Sequence, residues 1–235
     1  MIVVTGSEGL IGRSLINHLI NTDRDVIGID ILKNSSNKRI NYFSMNLAKP
    51  DLNRIKLIEI LNNNKITGWV NTHYPTSKDW DKSPVSFSSL SNVLCSHLGS
   101  YIYITQLVCE NSISPISIIN LGSIYGSISY DFNMYNDTNI SQPVPYPAIK
   151  SGIIHASKMF AVKYANLKHR INCISPGGVY NNHSEVFLKN YSKNTPFNRM
   201  ANVEELFSGF DYFLDSKSSY TTGQNLIIDG GYSLK

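Results

Sequence analysis

Two hydrophobic periods alternate along this chain. Ile2, Val3 and Val4 form a short continuous apolar run, the kind that makes a strand buried on both faces. Leu15, Ile16, Leu19 and Ile20 then recur at helical spacing. The same exchange repeats towards the C-terminus. Further strands are predicted over 26–30, 40–45, 66–70, 115–121, 171–174 and 226–228, and helices over 50–62, 87–110 and 147–167, with shorter ones near 184–192 and 202–214. Two polar, proline-bearing loops, 72–84 and 127–145, interrupt the series. Strands alternating with helices predict an α/β fold: a doubly wound parallel sheet covered on both faces, in three α/β/α layers.

Length and composition narrow the picture. A chain of 235 residues suits one domain with a sizeable core, and no repeat, low-complexity tract or linker divides residues 1–235. Hydrophobic residues make up 42% and charged residues 16%, ordinary for a soluble enzyme. The net charge of +4 comes from scattered basic residues, so no nucleic-acid-binding stripe is expected. No apolar run is long enough to span a membrane, and no leader is expected before the first strand. Cys95, Cys109 and Cys173 are odd in number and lack metal spacing, so buried thiols in a reducing cytosol, and a cytoplasmic protein, are expected. His97, His155 and His169 fall on predicted helices without ligand spacing and read as structural; no metal site is expected.

The chemistry-bearing residues sit where strand gives way to helix. Gly6-Ser7-Glu8-Gly9-Leu10-Ile11-Gly12 joins the first strand to the first helix, the setting in which a glycine motif cradles a pyrophosphate. Gly6 would permit a tight turn, Gly9 a close approach of backbone N–H groups to phosphate, and Gly12 close packing of helix on strand. The phosphates would meet the positive helix N-terminus. Asp30 ends the second strand, 18 residues after Gly12. A carboxylate there accepts hydrogen bonds from both hydroxyls of an adenosine ribose and repels a 2′-phosphate, so NAD is expected over NADP. Lys33, Lys38 and Arg39 follow closely and could rescue a 2′-phosphate. Tyr146 and Lys150 are four residues apart and would share one helix face. A free phenol titrates near pH ~10. A nearby ammonium draws that value down, and a phenol so tuned can exchange a proton with a carbinol oxygen.

With Asn71, Ser123, Ser175-Pro176-Gly177-Gly178 and Thr222-Gly223-Gln224 running into Asp229-Gly230-Gly231, these residues resemble the short-chain dehydrogenase/reductase family over the whole chain. The resemblance implies a Rossmann-type fold and a nicotinamide-dependent oxidoreductase acting on a CH–OH group. The glycine loop is spaced like the family's extended members, whereas the length and the Asp-Gly-Gly segment are similar to its shorter ones. The runs Asn71-Thr72-His73-Tyr74-Pro75, Gly122-Ser123-Ile124-Tyr125-Gly126 and Thr195-Pro196-Phe197-Asn198-Arg199-Met200 resemble the flagellin modification protein A branch, associated with bacterial surface-sugar pathways.

The resemblance implies roles for single residues. Ser123 would hydrogen-bond the reacting oxygen, Tyr146 would transfer the proton, and Lys150 would lower the Tyr146 pKa and hold the nicotinamide ribose. Gly6, Glu8, Gly9, Leu10, Ile11, Gly12, Asp30, Asn46, Leu47 and Asn71 would face the phosphates and adenosine; Pro176, Gly177 and Val179 would face the nicotinamide. His73, Tyr74, Lys78, Tyr125, Asn181 and His183 lie on predicted loops at the carboxyl ends of strands, where open α/β sheets bind ligands. Tyrosines, amides and a lysine suit a sugar derivative.

There are departures from the family pattern. Ser96 stands where many members carry an asparagine that holds a relay water, Asn46 where an aspartate approaches adenine, and Asn181 where many have threonine. Ser123 and Tyr146 are 23 residues apart, farther than in the shorter members, and the extra loop with Tyr130, Asp131, Tyr135 and Asp137 is expected to overhang the substrate. Members pair through their two long helices, so a homodimer or homotetramer is expected, with Leu94, Leu98, Ile102 and Leu107 as candidate contacts. A nucleotide-sugar epimerase or dehydratase, an acyl or carbonyl reductase, and a non-catalytic NAD-binding protein are the competing readings.

Overall fold

The structure, a computed structural model, describes residues 1–76, 86–138, 140 and 143–234. Its strands are β1 (Ile2–Thr5), β2 (Val26–Asp30), β3 (Asn41–Ser44), β4 (Gly68–Asn71), β5 (Ser117–Leu121), β6 (Arg170–Pro176) and β7 (Asn225–Ile228). The helices are α1 (Leu10–Asn21), α2 (Arg54–Asn63), α3 (Phe87–Val93), α4 (Ser100–Asn111), α5 (Pro145–Lys163), α6 (Glu185–Asn194) and α7 (Phe207–Leu214).

All pairings are parallel, in the order β3-β2-β1-β4-β5-β6-β7. Successive side chains in a strand point to opposite faces. Val3, Trp69 and Ile118 therefore pack on one side, under α2, α4 and α5, while Val4, Val70 and Ile119 pack on the other, under α1 and α7. Full burial of each such side chain is worth ~1.5–3 kcal/mol. This two-sided core gives the strands their unbroken apolar character and makes the fold a Rossmann-type doubly wound sheet. The order reverses between β1 and β4, and a crevice opens there at the carboxyl ends of the strands.

Several elements differ from expectation. The helix predicted over 50–62 opens as a 3-10 turn, Pro50–Asn53, before α2. The one predicted over 87–110 is interrupted by a π-helical turn, Leu94–Gly99, between α3 and α4. α5 begins two residues early, with Pro145 in its first turn, where a missing N–H costs nothing. Tyr146 thereby joins the same helix as Lys150.

Leu107 is buried in the core and Leu94 and Leu98 pack against α5, so of the four candidate oligomer contacts only Ile102 faces outward. Cys109 and Cys173 are buried, but Cys95 is exposed, because the π turn carries it on the outer face. No helix among the described residues is long and apolar enough to cross a membrane.

Candidate active site

The β1–α1 turn is shaped by what surrounds it. Gly6 has φ +68°, and a Cβ there would lie 2.6 Å from the His73 backbone, so only glycine fits. Gly9 starts α1 with no side chain capping the helix, which leaves N-terminal N–H groups directed at the crevice. Asp30 accepts the Glu8 N–H at 3.0 Å and the Leu32 N–H at 3.2 Å. A carboxylate has about four lone-pair sites, so capacity for two ribose hydroxyls remains.

The Glu8 carboxylate turns away to accept from the Ser35 hydroxyl (2.8 Å) and the Ser36 N–H (3.1 Å), with Arg13 at 3.8 Å. Burial raises its pKa, but the Ser36 and Ser35 hydrogen bonds and the Arg13 charge outweigh that and hold it below the usual carboxylate range. Two carboxylates thus stand at the outer crevice. Of the three basic residues that could have met a 2′-phosphate, none lines this crevice, and Arg39 lines a depression beside Met1 and Asp25, at the amino ends of the strands. The outer crevice, about 600 Å³, is lined by Gly6, Glu8, Gly9, Asp30, Asn46 and Leu47 among others.

It continues through Gly9, Thr72 and Tyr74 into an inner cleft of about 310 Å³. Leu10, Ile11 and Gly12 form one wall; Pro176, Gly177 and Val179 form the other; Ser123, Tyr146 and Lys150 close the end. Ser123 follows β5 and caps a short turn, its hydroxyl accepting the Tyr125 N–H at 3.2 Å. Gly126 ends that turn against α5, where any Cβ would come within 2.8 Å of the Lys150 backbone. This contact brings Ser123 to the face of α5 that carries Tyr146 and Lys150, and Ser123 hydrogen-bonds the Tyr146 phenol. Lys150 is buried and donates to the Leu121 carbonyl at 2.8 Å. Its Nζ lies 5.7–5.8 Å from the ring centres of Tyr74, Tyr101 and Tyr146.

Burial acts on both titrating groups. It raises the Tyr146 pKa, with the Ser123 hydrogen bond opposing, and lowers that of Lys150 to about 7. The expectation that Lys150 draws Tyr146 down is thus corrected: removal from water disfavours the charged form of each, and in this cleft that effect dominates.

Asn71 is a second correction. Its side chain does not enter the crevice. It accepts from Thr5 (3.2 Å) and Trp69 (2.9 Å) and donates to Asn120 Oδ1 at 2.8 Å. Asn120 Nδ2 donates in turn to Ser157 Oγ (2.9 Å), which also accepts from Cys173 Sγ (3.1 Å).

Among the substrate candidates, Tyr74 and Tyr125 line a third cleft of about 330 Å³ that shares Ser123 and Tyr146 with the inner one. His73 is buried, its ring held between Thr5 Oγ1 (2.8 Å) and Ser100 Oγ (2.9 Å), so it offers no side chain to a ligand. Asn181 is exposed and lines none of the three clefts, whereas its neighbour His183 lines the third. Lys78 lies outside the described residues. Of the long loop, Tyr130 and Tyr135 line the cleft and Asp131 and Asp137 do not, and the Tyr125 and Tyr135 hydroxyls bond at 3.0 Å. Phe187, Tyr191 and Met200 complete the wall without any signal in the sequence reading, since α6 and the segment after it are remote in the chain. Among the described residues this wall holds no Lys, Arg, Asp or Glu.

These residues can seat a dinucleotide along the crevice and hold an oxygen between a serine and a tyrosine at its inner end. Comparison with known proteins bears on the family. Post-translational flagellin modification protein A of Campylobacter coli is 29% identical over all of this chain and 98% of its own. D-arabinitol 2-dehydrogenase [ribulose-forming] of Candida tropicalis is 34% identical over 57% of this chain and 49% of its own. A crystal structure of a short-chain dehydrogenase from Leptospira borgpetersenii with bound NAD+ superposes with a TM-score of 0.85, at 29% identity, over 99% of this chain and 92% of that one. The family model described as Enoyl-(Acyl carrier protein) reductase matches residues 85–233. Because that match spans well over half of the sequence, downstream of a glycine turn that fits the same cofactor, the chain belongs to the short-chain dehydrogenase/reductase family, nicotinamide-dependent oxidoreductases that act on CH–OH groups of small molecules.

Proposed function

We propose that this protein is an NAD(H)-dependent oxidoreductase that interconverts a secondary alcohol and a ketone on a sugar or polyol. One observation carries the reading: Ser123, Tyr146 and Lys150 close the inner end of the cleft that begins at the glycine turn. The choice of NAD rests on Asp30 and Glu8 beside the adenosine end and on basic residues that line no part of it. The sugar or polyol assignment rests on the tyrosine hydroxyls of the third cleft and on the two relatives named above.

A nicotinamide dinucleotide held by the glycine turn, Asp30 and the Pro176–Val179 wall would supply the hydride chemistry when bound. The chain's own groups manage the oxygen and its proton. In the oxidative direction the Tyr146 phenolate takes the hydroxyl proton while Ser123 holds the oxygen as its charge changes. The charge of Lys150 would favour the phenolate against the cost of its burial, and the same amine would hold the cofactor ribose. A homo-oligomer built on the outer faces of α4 and α5, where Ile102, Met159 and Val162 are exposed, completes the proposal; sedimentation of the purified protein checks it.

The test is a turnover screen of polyols, aldoses, sugar phosphates and nucleotide sugars with NAD and NADP, followed by absorbance of the reduced nicotinamide. Turnover of a polyol or sugar with NAD is expected. Tyr146→Phe should cut kcat by ~10²–10⁴ and leave NADH binding nearly unchanged. Wild-type turnover by Tyr146→Phe ends the assignment. Activity confined to acyl carriers would transfer the protein to the reductases that the family model's description names.

A further inference from the structure

The turn Gly177-Gly178-Val179 stands between two cavities. Gly177 and Val179 wall the inner cleft, and all three residues line the third cleft as well. Its backbone is anchored from behind. The Gly177 N–H donates to the Ile228 carbonyl at 2.9 Å, and the Ala201 N–H donates to the Gly178 carbonyl at 2.9 Å. A third anchor is a side chain. The Gly178 N–H donates to the phenol oxygen of Tyr191, 13 residues downstream on α6, at 2.7 Å.

This contact is more than one hydrogen bond. A Cβ on Gly178 would lie 2.6 Å from Tyr191 Cε2, and one on Gly177 would lie 2.9 Å from the phenol oxygen. The two glycines are what lets the phenol sit directly against the backbone. The ring is itself fixed: it is buried, stacked on Tyr232 with ring centres 5.2 Å apart, and has the Phe187 ring at 6.2 Å. Burial raises its pKa, with the Gly178 hydrogen bond opposing, so the phenol stays neutral and offers the Gly178 N–H a lone pair. Buried N–H groups are nearly always paired, so loss of this acceptor would leave the peptide to turn in search of another. Tyr191 also lines the third cleft. One side chain thereby joins the helix that bounds the substrate space to the backbone that bounds the cofactor space.

We propose that Tyr191 is a positioning residue for hydride transfer: by fixing the Gly177–Gly178 peptide, its hydroxyl sets how the nicotinamide is held relative to Ser123 and Tyr146. The inference rests on the active-site reading above and extends it to α6. A tyrosine that only fills the core makes a different forecast, because phenylalanine would fill the same space.

Tyr191→Phe, Gly178→Ala and Tyr146→Phe are compared with wild type in the full chain. Binding of NADH, and of ADP-ribose, which lacks the nicotinamide, is measured by calorimetric titration. Turnover is followed with the sugar or polyol that reacts fastest in the screen. Tyr191→Phe is expected to bind ADP-ribose within about twofold of wild type and NADH about fivefold more weakly. It should lose at least about tenfold in kcat, with substrate KM within about threefold. Gly178→Ala, whose Cβ must displace the phenol, should repeat the pattern. If Tyr191→Phe keeps wild-type NADH affinity, loses ADP-ribose affinity to the same degree, or changes only the substrate KM, the inference is overturned, while a dead Tyr146→Phe leaves the active-site reading intact. If Tyr146→Phe is fully active, both fall together. Should Tyr191→Phe not fold, Gly178→Ala decides by the same measurements.

Discussion

The cofactor side and the substrate side of the cleft are built on different principles. Around the glycine turn the ligand-facing groups are largely backbone: an uncapped helix end, a left-handed glycine and strand termini, supported by two carboxylates. On the substrate side the wall is made of side chains, above all Tyr74, Tyr125, Tyr130, Tyr135, Phe187 and Tyr191, drawn from three separate stretches of chain. Backbone can be shared by proteins of many specificities. A side-chain wall is where substrates are told apart. The comparison teaches that the proposed cofactor is read from geometry and the proposed substrate class from composition.

Lys150 stands at the junction and gives the largest effect. Lys150→Met should abolish turnover and yet stabilise the ligand-free protein. The folded pKa of about 7 lies below the unfolded value of ~10.4, so the unfolded chain binds the extra proton between those limits. Stability therefore rises with pH across that window, and the cost of the buried amine is full below pH ~7. The gain in Lys150→Met should reach a few kcal/mol at pH ~6.5, and vanish towards pH ~10.5, as melting curves across that range would reveal. A gain independent of pH would mean that the amine is not the source.

Gly9→Val tests the backbone side alone. Its Cβ would meet only the Gly6 carbonyl, at 3.3 Å, so the fold should survive while NADH binding falls by about 100-fold or more, measurable by fluorescence titration. Asp30→Ala should weaken NAD by about tenfold and narrow the gap to NADP, since it removes a hydrogen-bonding anion without touching phosphate contacts. Smallest is Tyr135→Phe, which deletes the bond to Tyr125. An uncharged hydrogen bond is worth ~1 kcal/mol, so substrate KM should rise about fivefold with cofactor affinity unchanged. A shift in cofactor affinity instead would break the separation between the two sides.

The same division explains what could be read in advance. The parallel, doubly wound sheet follows from the βα alternation, and the glycine spacing, Asp30, Tyr146 and Lys150 stand out as candidates because their signals are short in range. Asn71 misled because an amide at a strand end reads identically whether it faces a crevice or the core; only packing beside Thr5, Trp69 and Asn120 decides. The direction of the Tyr146 shift misled because helical spacing reports nearness to Lys150 but not loss of water. Phe187, Tyr191 and Met200 were unreadable, since nothing local in α6 says that it closes a cleft opened by β5.

The hydrogen-bonded series Asn71–Asn120–Ser157–Cys173 has a consequence for assembly. It ties β4, β5 and β6 to α5 at single, matching rungs. Sliding any of these strands by one residue would strand several amides and a hydroxyl in oil, whereas a wholly apolar ladder would tolerate the slip. The sheet can therefore close in one alignment only, and the helix that carries Tyr146 and Lys150 is clocked to that alignment before any ligand arrives.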